Sequence, residues 1–379
     1  MKRKVWAGLF LLTVLVNVIA WNSRAFCDWH VKVLFPVSVN VYGRLMSAFP
    51  FSVGEWMIGL GLLLVLEAVL VALARLCVRK TWMKYLFRGF YRAFAWIALA
   101  VFMIMTWNCF ILYHASEFDE KYMEEKAEKG YTDKELALLR DHIVTELNNL
   151  TGQMERDENG YLVYEGTITE GAVLAMQSLG EEYGQLSGYY PRAKTIRASD
   201  FLSQEYMMGY YFPFSMEANY NSRMYVVNKP STICHELAHL KGFILEDDAN
   251  FIGFLACIQS EDPFFQYSGY MGVLSYVERE FLDSIGHDAS KYADHPRIED
   301  SVYGDDLFLT AEAWEAVEEK AVVETATVKK ASSQFTEATL KINGVEDGMK
   351  SYARVVQLLL EYYDGILYGQ SEGEMAEAG

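Results

Sequence analysis

The chain has 379 residues, 52% of them hydrophobic and 22% charged, with a formal net charge of −18, and it is too long for a single minimal domain. The charge is split: residues 1–116 hold twelve Lys/Arg against three Asp/Glu, a net of +9, which leaves −27 on residues 117–379. An acidic body of that size argues against a nucleic-acid partner and against docking on anionic lipid.

Three apolar runs lie in the basic part, at about 5–21, 57–77 and 94–113. Each approaches the roughly 20 residues that a helix needs to cross a bilayer, so the lipid bilayer is the first expected partner. Lys2, Arg3 and Lys4 precede the first run, and Arg75, Arg79, Lys80, Lys84, Arg88 and Arg92 fill the end of the second and the loop beyond it. Basic flanks stay in the cytoplasm, so the reading is a multi-pass cell-membrane protein with a cytoplasmic N-terminus and an extracytoplasmic C-terminal domain. The first run also has the layout of a signal peptide, with Ala20 as the small residue; either way the C-terminal domain ends outside. Glu67, inside the second run, is either functional or a neutral acid bonded to Asn17 or Asn108 of a neighbouring helix.

Residues 117–379 form the second expected domain. A charged exit segment covers 116–132. Thr132–Leu150 reads as an amphipathic helix capped by Thr132, with Leu136, Leu139, Ile143 and Leu147 on its apolar face. Asp157–Gly160 is a turn, and Thr167–Tyr183 a second helix capped by Thr167 or Thr169. From Ala193 the pattern turns extended, at 194–198, 209–214 and 217–228. Met224–Val227 is the candidate for an edge strand, with an internal strand as the alternative; resemblance to zincin-type peptidases, carried by the motif at 235–239, implies that such an edge pairs with an extended substrate backbone. Further helices are expected at 251–258, 267–285, 310–323, 335–342 and 352–363, with a turn over Asn343–Gly348 and a polar, disordered tail over Gln370–Gly379.

The stretch His235-Glu236-Leu237-Ala238-His239 carries the chemistry. Residues four apart share a helix face, so His235 and His239 can grip one metal ion while Glu236 reaches a metal-bound water. Ser231 or Thr232 is the expected N-cap, and Gly242 the C-cap. Glu246 lies seven residues beyond His239, and the turn at Gly242 could fold it back as third ligand; Asp247 and Asp248 compete for that place. The acidic trio equally suits a helix N-terminus. Cys234 reads as a small buried hydrophobe, with a Cys234–Cys257 bridge left open.

Glu246-Asp247-Asp248-Ala249-Asn250 resembles the stretch that brings the third, Glu ligand in gluzincin peptidases. That resemblance implies Glu246 as ligand and Asn250 where a supporting Asp would stand. The pattern also resembles that of metzincins through Gly242, but Leu245 occupies the third His position. The whole chain resembles a bacterial membrane family, domain of unknown function 3810, through Tyr190–Lys194, Phe212–Asn219, Cys234–Asn250, Leu340–Gly344 and Ser351-Tyr352. The resemblance implies an α+β architecture: N-terminal transmembrane helices, then a mostly helical zincin-like domain with a small sheet. It offers Glu217 as a residue supporting the ligands or touching substrate.

The expected function is a zinc metallopeptidase with one Zn²⁺ per chain. His235, His239 and Glu246 bind the metal, and Glu236 is the general base acting on a peptide or protein substrate. Tyr267, Tyr270, Arg223 and His295 are candidate oxyanion stabilisers. The alternatives are an intramembrane protease, which the charges around the motif disfavour, and a non-catalytic binding or envelope-assembly protein with a structural or degenerate metal site. The oligomeric state is not legible.

Overall fold

The structure, a computed structural model, describes residues 2–123, 130–342 and 352–368. The turn expected over Asn343–Gly348, the tail Gln370–Gly379 and the middle of the exit segment lie outside them. The chain divides into two compact units, Met1–Ala115 with Phe212–Glu217, and Ser116–Tyr211 with Ala218–Gly379.

The first unit is helical. Helices α1 (Lys2–Asn22), α2 (Val53–Cys77) and α3 (Thr81–Met105) are joined by shorter helical segments. Among the described residues, three helices are long and apolar enough to cross a membrane: Arg3–Asn22, Val53–Cys77, and Thr81–His114, which continues α3 through a wider turn. Leu62, Leu66 and Leu70 of α2 and Leu11 and Leu15 of α1 stand exposed, an apolar surface that suits hydrocarbon. Polar contacts help to join these helices, beside the aromatic pair Phe10–Phe102. Trp6 Nε1 donates to Ala95 O at 3.0 Å, Asn17 Nδ2 to Thr106 Oγ1 at 2.8 Å, and Tyr91 to Ala68 O at 2.7 Å. Asn108 donates to Pro213 O, so neither asparagine meets Glu67, which is exposed.

Glu217 belongs to this unit, and its carboxylate is engaged within it. Its carboxylate accepts from Val53 N (3.2 Å), Gly54 N (2.8 Å) and Ser215 Oγ (2.8 Å). It satisfies the free N–H groups at the start of α2, where the helix dipole favours negative charge.

The second unit is built from α4 (Asp133–Thr151), α5 (Ile168–Leu179), β1 (Lys194–Thr195), β2 (Gly209–Phe212), β3 (Glu217–Tyr220), α6 (Asn228–His239), α7 (Glu246–Ile258), α8 (Pro263–Ser284), α9 (Asp300–Asp305), α10 (Ala311–Lys320), α11 (Thr325–Ile342) and α12 (Tyr352–Tyr363). Thr132 and Glu135 cap α4 reciprocally, and Thr310 caps α10 as its sequence indicates. Helix α11 starts ten residues before the expected Phe335.

The sheet order is β1-β3-β2, with β1 parallel to β3. Met224–Val227 is not a strand but a run of turns, so the edge nearest α6 in sequence is β2. The chain here is held by tertiary bonds: Tyr225 N donates to Phe308 O, and Asn228 Nδ2 to Leu307 O. The core of this unit is aromatic and aliphatic, with Leu139, Ile143, Leu147, Leu237, Phe251, Phe254, Leu255 and Phe281 all essentially inaccessible.

Candidate metal centre

Helix α6 begins three residues before the expected cap. Val227, with helical dihedrals and no side-chain cap, precedes Asn228. The Ser231 N–H that a local cap would satisfy is instead met by Ser268 Oγ of α8 at 3.1 Å. Pro230, in the first turn, has no N–H to leave unmet. The helix stops at His239, and the chain reverses through Gly242 at φ +92, a conformation that favours glycine. Glu246, seven residues after His239, opens α7.

That reversal lays α7 against α6. Gly253 makes the approach possible: a Cβ there would lie 3.0 Å from Ser231 O and 3.2 Å from His235 N. The result brings His235, His239 and Glu246 together, with ligand-type atoms all within 4.8 Å of one another. His235 Nε2 is 3.1 Å from Glu246 Oε2, and His239 Nε2 is 3.9 Å from Glu246 Oε1.

Asp247 and Asp248 are turned away from this point. Asp247 pairs with Arg354 Nη1 at 3.1 Å; Asp248 meets Arg354 Nη2 at 3.1 Å and accepts from Phe118 N. Glu117 and Asp119 complete a cluster of four carboxylates around Arg354. The acidic first turn of α7 therefore divides its work: one acid faces the histidines, two anchor the helix to α12.

The far side of each ring is occupied. His239 Nδ1 lies 2.7 Å from Phe243 O, and His235 Nδ1 lies 2.8 Å from Asn250 Oδ1. A carbonyl oxygen only accepts, so both Nδ1 atoms carry hydrogen. In the neutral rings this leaves the Nε2 lone pairs facing Glu246, the arrangement that second partners impose on metal-binding histidines.

Glu236 is almost fully buried, and its Oε2 has no hydrogen-bond partner among the described residues. A buried acceptor without a donor is costly. Two Nε2 lone pairs, a carboxylate and this orphaned oxygen form a donor set that fits a divalent ion with a water beside Glu236. The packing behind Glu236 is tight: a Cβ on Gly209 of β2 would come within 2.7 Å of Glu236 Oε1.

Burial sets the proton affinities. It pushes Glu236 up to about 8. It pulls His239 down to about 4. For His235, burial acts downward too, but the hydrogen bond and charge of Glu246 outweigh it and carry the ring to about 9. Glu246, opposed by burial but held by both rings, falls to about 2.

A cavity of about 310 Å³ opens on this cluster. Gly209, Thr232 and Asn250 line it near the histidines, and Gly272, Tyr276 and Asp306 line it further along α8 and past α9. None of the four expected oxyanion stabilisers reaches it. Tyr267 is bonded to Asp305, Arg223 to Asp200 and His295 to Asp141, while Tyr270 packs on Phe254. Their neighbours in the fold claim them. Tyr276 is the tyrosine in the lining, and its place at helical spacing from Gly269 and Gly272 was the available signal. Cys234 and Cys257 are buried free thiols in contact with one another, not a disulfide.

Fold and site together define a class: a chain with three membrane-length helices and a helix-borne His-His-Glu cluster opening on a cavity. Within that class, residues 30–360 match the family described as "Protein of unknown function (DUF3810)", and the chain belongs to it. No curated protein and no solved structure matches the chain.

Proposed function

We propose that this protein is a membrane-anchored zinc hydrolase that cleaves peptide bonds outside the cytoplasm, through a zincin-like site on α6 and α7. The observation that carries the reading is the convergence of His235 Nε2, His239 Nε2 and the Glu246 carboxylate beside the orphaned oxygen of Glu236. His235, His239 and Glu246 would hold one zinc ion, which when bound supplies Lewis acidity and lowers the pKa of a bound water to roughly 7. Glu236 would act as the general base, taking a proton from the attacking water at Oε2 and returning it to the departing amine. Asn250 and Phe243 O keep the rings aimed. The edge strand β2 enters the lining through Gly209, in the place where the sequence expects Met224–Val227 to meet an extended substrate.

The basic segments Lys2–Lys4 and 75–92 support a cytoplasmic N-terminus and an outward second unit. Helix α6 is not among the three apolar helices, so the site does not fit a protease working inside the bilayer.

The test is elemental analysis of the full-length protein in detergent, for wild type, His239→Ala and Glu246→Ala. About one zinc per chain in wild type, lost in both variants, with peptide hydrolysis abolished in Glu236→Gln, supports the reading. A folded wild type that takes up no zinc, or binds it without hydrolysing any peptide in a diverse library, overturns it in favour of a binding protein.

A further inference from the structure

The cavity holds an acid that the chemistry above does not use. Asp306 follows α9, is solvent-accessible, and lines the same cavity as His235, Glu236 and Glu246. Partial desolvation raises its carboxyl, and no cation among the described residues brings it back down. Neither Lys nor Arg occurs among the described residues of the lining. This differs from Asp247 and Asp248, which both pair with Arg354.

The position is rigid. Leu307 O, one residue on, accepts from Asn228 Nδ2 at 2.7 Å, and Phe308 O accepts from Tyr225 N at 2.8 Å. The Asp306 backbone is thus pinned to the start of α6. Asn228 is seven residues before His235, about 10 Å along the helix axis, or about three residues of extended peptide. The same lining includes Met208 and Met271, which present apolar surface to the cavity. Cavity space, apolar surface and a carboxylate at the end suit a long aliphatic stem that carries a cation.

We propose that Asp306 forms a specificity subsite for a basic side chain, lysine or arginine, within about three positions of the bond to be cleaved. The inference rests on the hydrolase reading for its meaning, but it can be tested by binding alone. The cation would pair with Asp306, its methylenes lying along Met208 and Met271. The acidic surface of residues 117–379 would favour the approach of such a peptide.

The experiment uses the full-length, zinc-loaded Glu236→Gln protein in detergent and a set of fluorescein-labelled hexa-alanine peptides. Each peptide carries one Lys, norleucine or Glu at each position in turn; norleucine keeps the stem without the charge. At one position Lys should bind about tenfold tighter than norleucine, and Glu weaker than both. Asp306→Asn should erase the Lys–norleucine ratio, and Asp306→Lys should reverse the order to favour Glu. A set in which no position separates Lys from norleucine, no measurable peptide binding, or a preference that survives Asp306→Asn overturns the subsite. Cleavage by wild type is read in parallel. Selective binding without cleavage leaves the subsite standing and sinks the hydrolase; cleavage indifferent to Lys does the opposite.

Discussion

His235 Nδ1 and Asn250 Oδ1 lie 2.8 Å apart, on successive helices and fifteen residues apart in the chain. The bond fixes which ring nitrogen of His235 carries hydrogen and which faces Glu246. Asn250→Ala should weaken zinc binding roughly 10- to 100-fold, the usual cost of losing such a support. Asn250→Asp, which still accepts from Nδ1, should retain it. Competition against a chromophoric chelator measures both; an unchanged affinity in the alanine variant would remove Asn250 from this role.

Metal loading should release protons. Before an ion arrives, His235 sits at about 9 and Glu236 at about 8, so at pH 7 both are protonated. A metal ion needs the Nε2 lone pair of His235 and must displace its proton. Apparent affinity should therefore rise with pH, about tenfold per unit for that one proton below pH 9, and flatten above it. Calorimetry in two buffers of different ionisation enthalpy should return at least one proton released per ion at pH 7. No release would show that the His235 ring is already neutral at pH 7 or does not take the ion.

Gly209→Ala would place a methyl group 2.7 Å from both Glu236 Oε1 and Asn219 O. Neither neighbour can retreat easily: one is buried and the other is strand backbone. The variant should lose about 1–3 kcal/mol of stability or displace Glu236, and hydrolysis should fall while zinc content stays near wild type. Full activity in a stable Gly209→Ala protein would contradict the tight placement of Glu236.

Arg354→Ala would leave four carboxylates, two of them buried, without their shared cation. Removing one partner from a buried ion cluster costs about 3–5 kcal/mol. Because Asp247 and Asp248 follow Glu246 directly, the start of α7 should loosen and zinc affinity should fall as well. Arg354→Lys should restore part of the stability, since it keeps the charge without the planar fork. Chemical unfolding with and without zinc separates the two effects.

Glu217→Gln tests the reassignment of that residue. The loss of a charged cap at the start of α2 should lower stability by about 0.5–2 kcal/mol and leave zinc content and peptide selectivity untouched. A selective loss of hydrolysis at unchanged thermal stability would return Glu217 to the substrate.

The elements read correctly were those whose cause is local. Helix α4 declares itself by the Thr132–Glu135 capping box, α10 by Thr310, and α12 by an apolar face that runs from Tyr352 to Tyr363. The three long apolar helices follow from length and composition. The failures sit where a tertiary partner replaces a local one. Ser231 and Thr232 look like caps, yet Ser268 satisfies the donor and the helix starts at Asn228. Met224–Val227 has the residues of a strand, yet Phe308 ties it into turns. The aromatic and basic candidates for an oxyanion stabiliser were drawn by type alone, and Asp305, Asp200 and Asp141 had already engaged three of them.

The sequence by itself determined that His235 and His239 share a helix face with Glu236 beside them, because a period of 3.6 residues is a property of the backbone. It determined equally that residues 1–116 hold membrane-length apolar runs. Only the tertiary structure decided among Glu246, Asp247 and Asp248, since their geometry depends on the reversal at Gly242 and on the close approach at Gly253. It also decided that Asn250 bonds His235, that Gly209 crowds Glu236, and that Asp306 lines the same cavity. These are relations between segments 15 to 71 residues apart, and no local propensity encodes which of several carboxylates will meet a given ring.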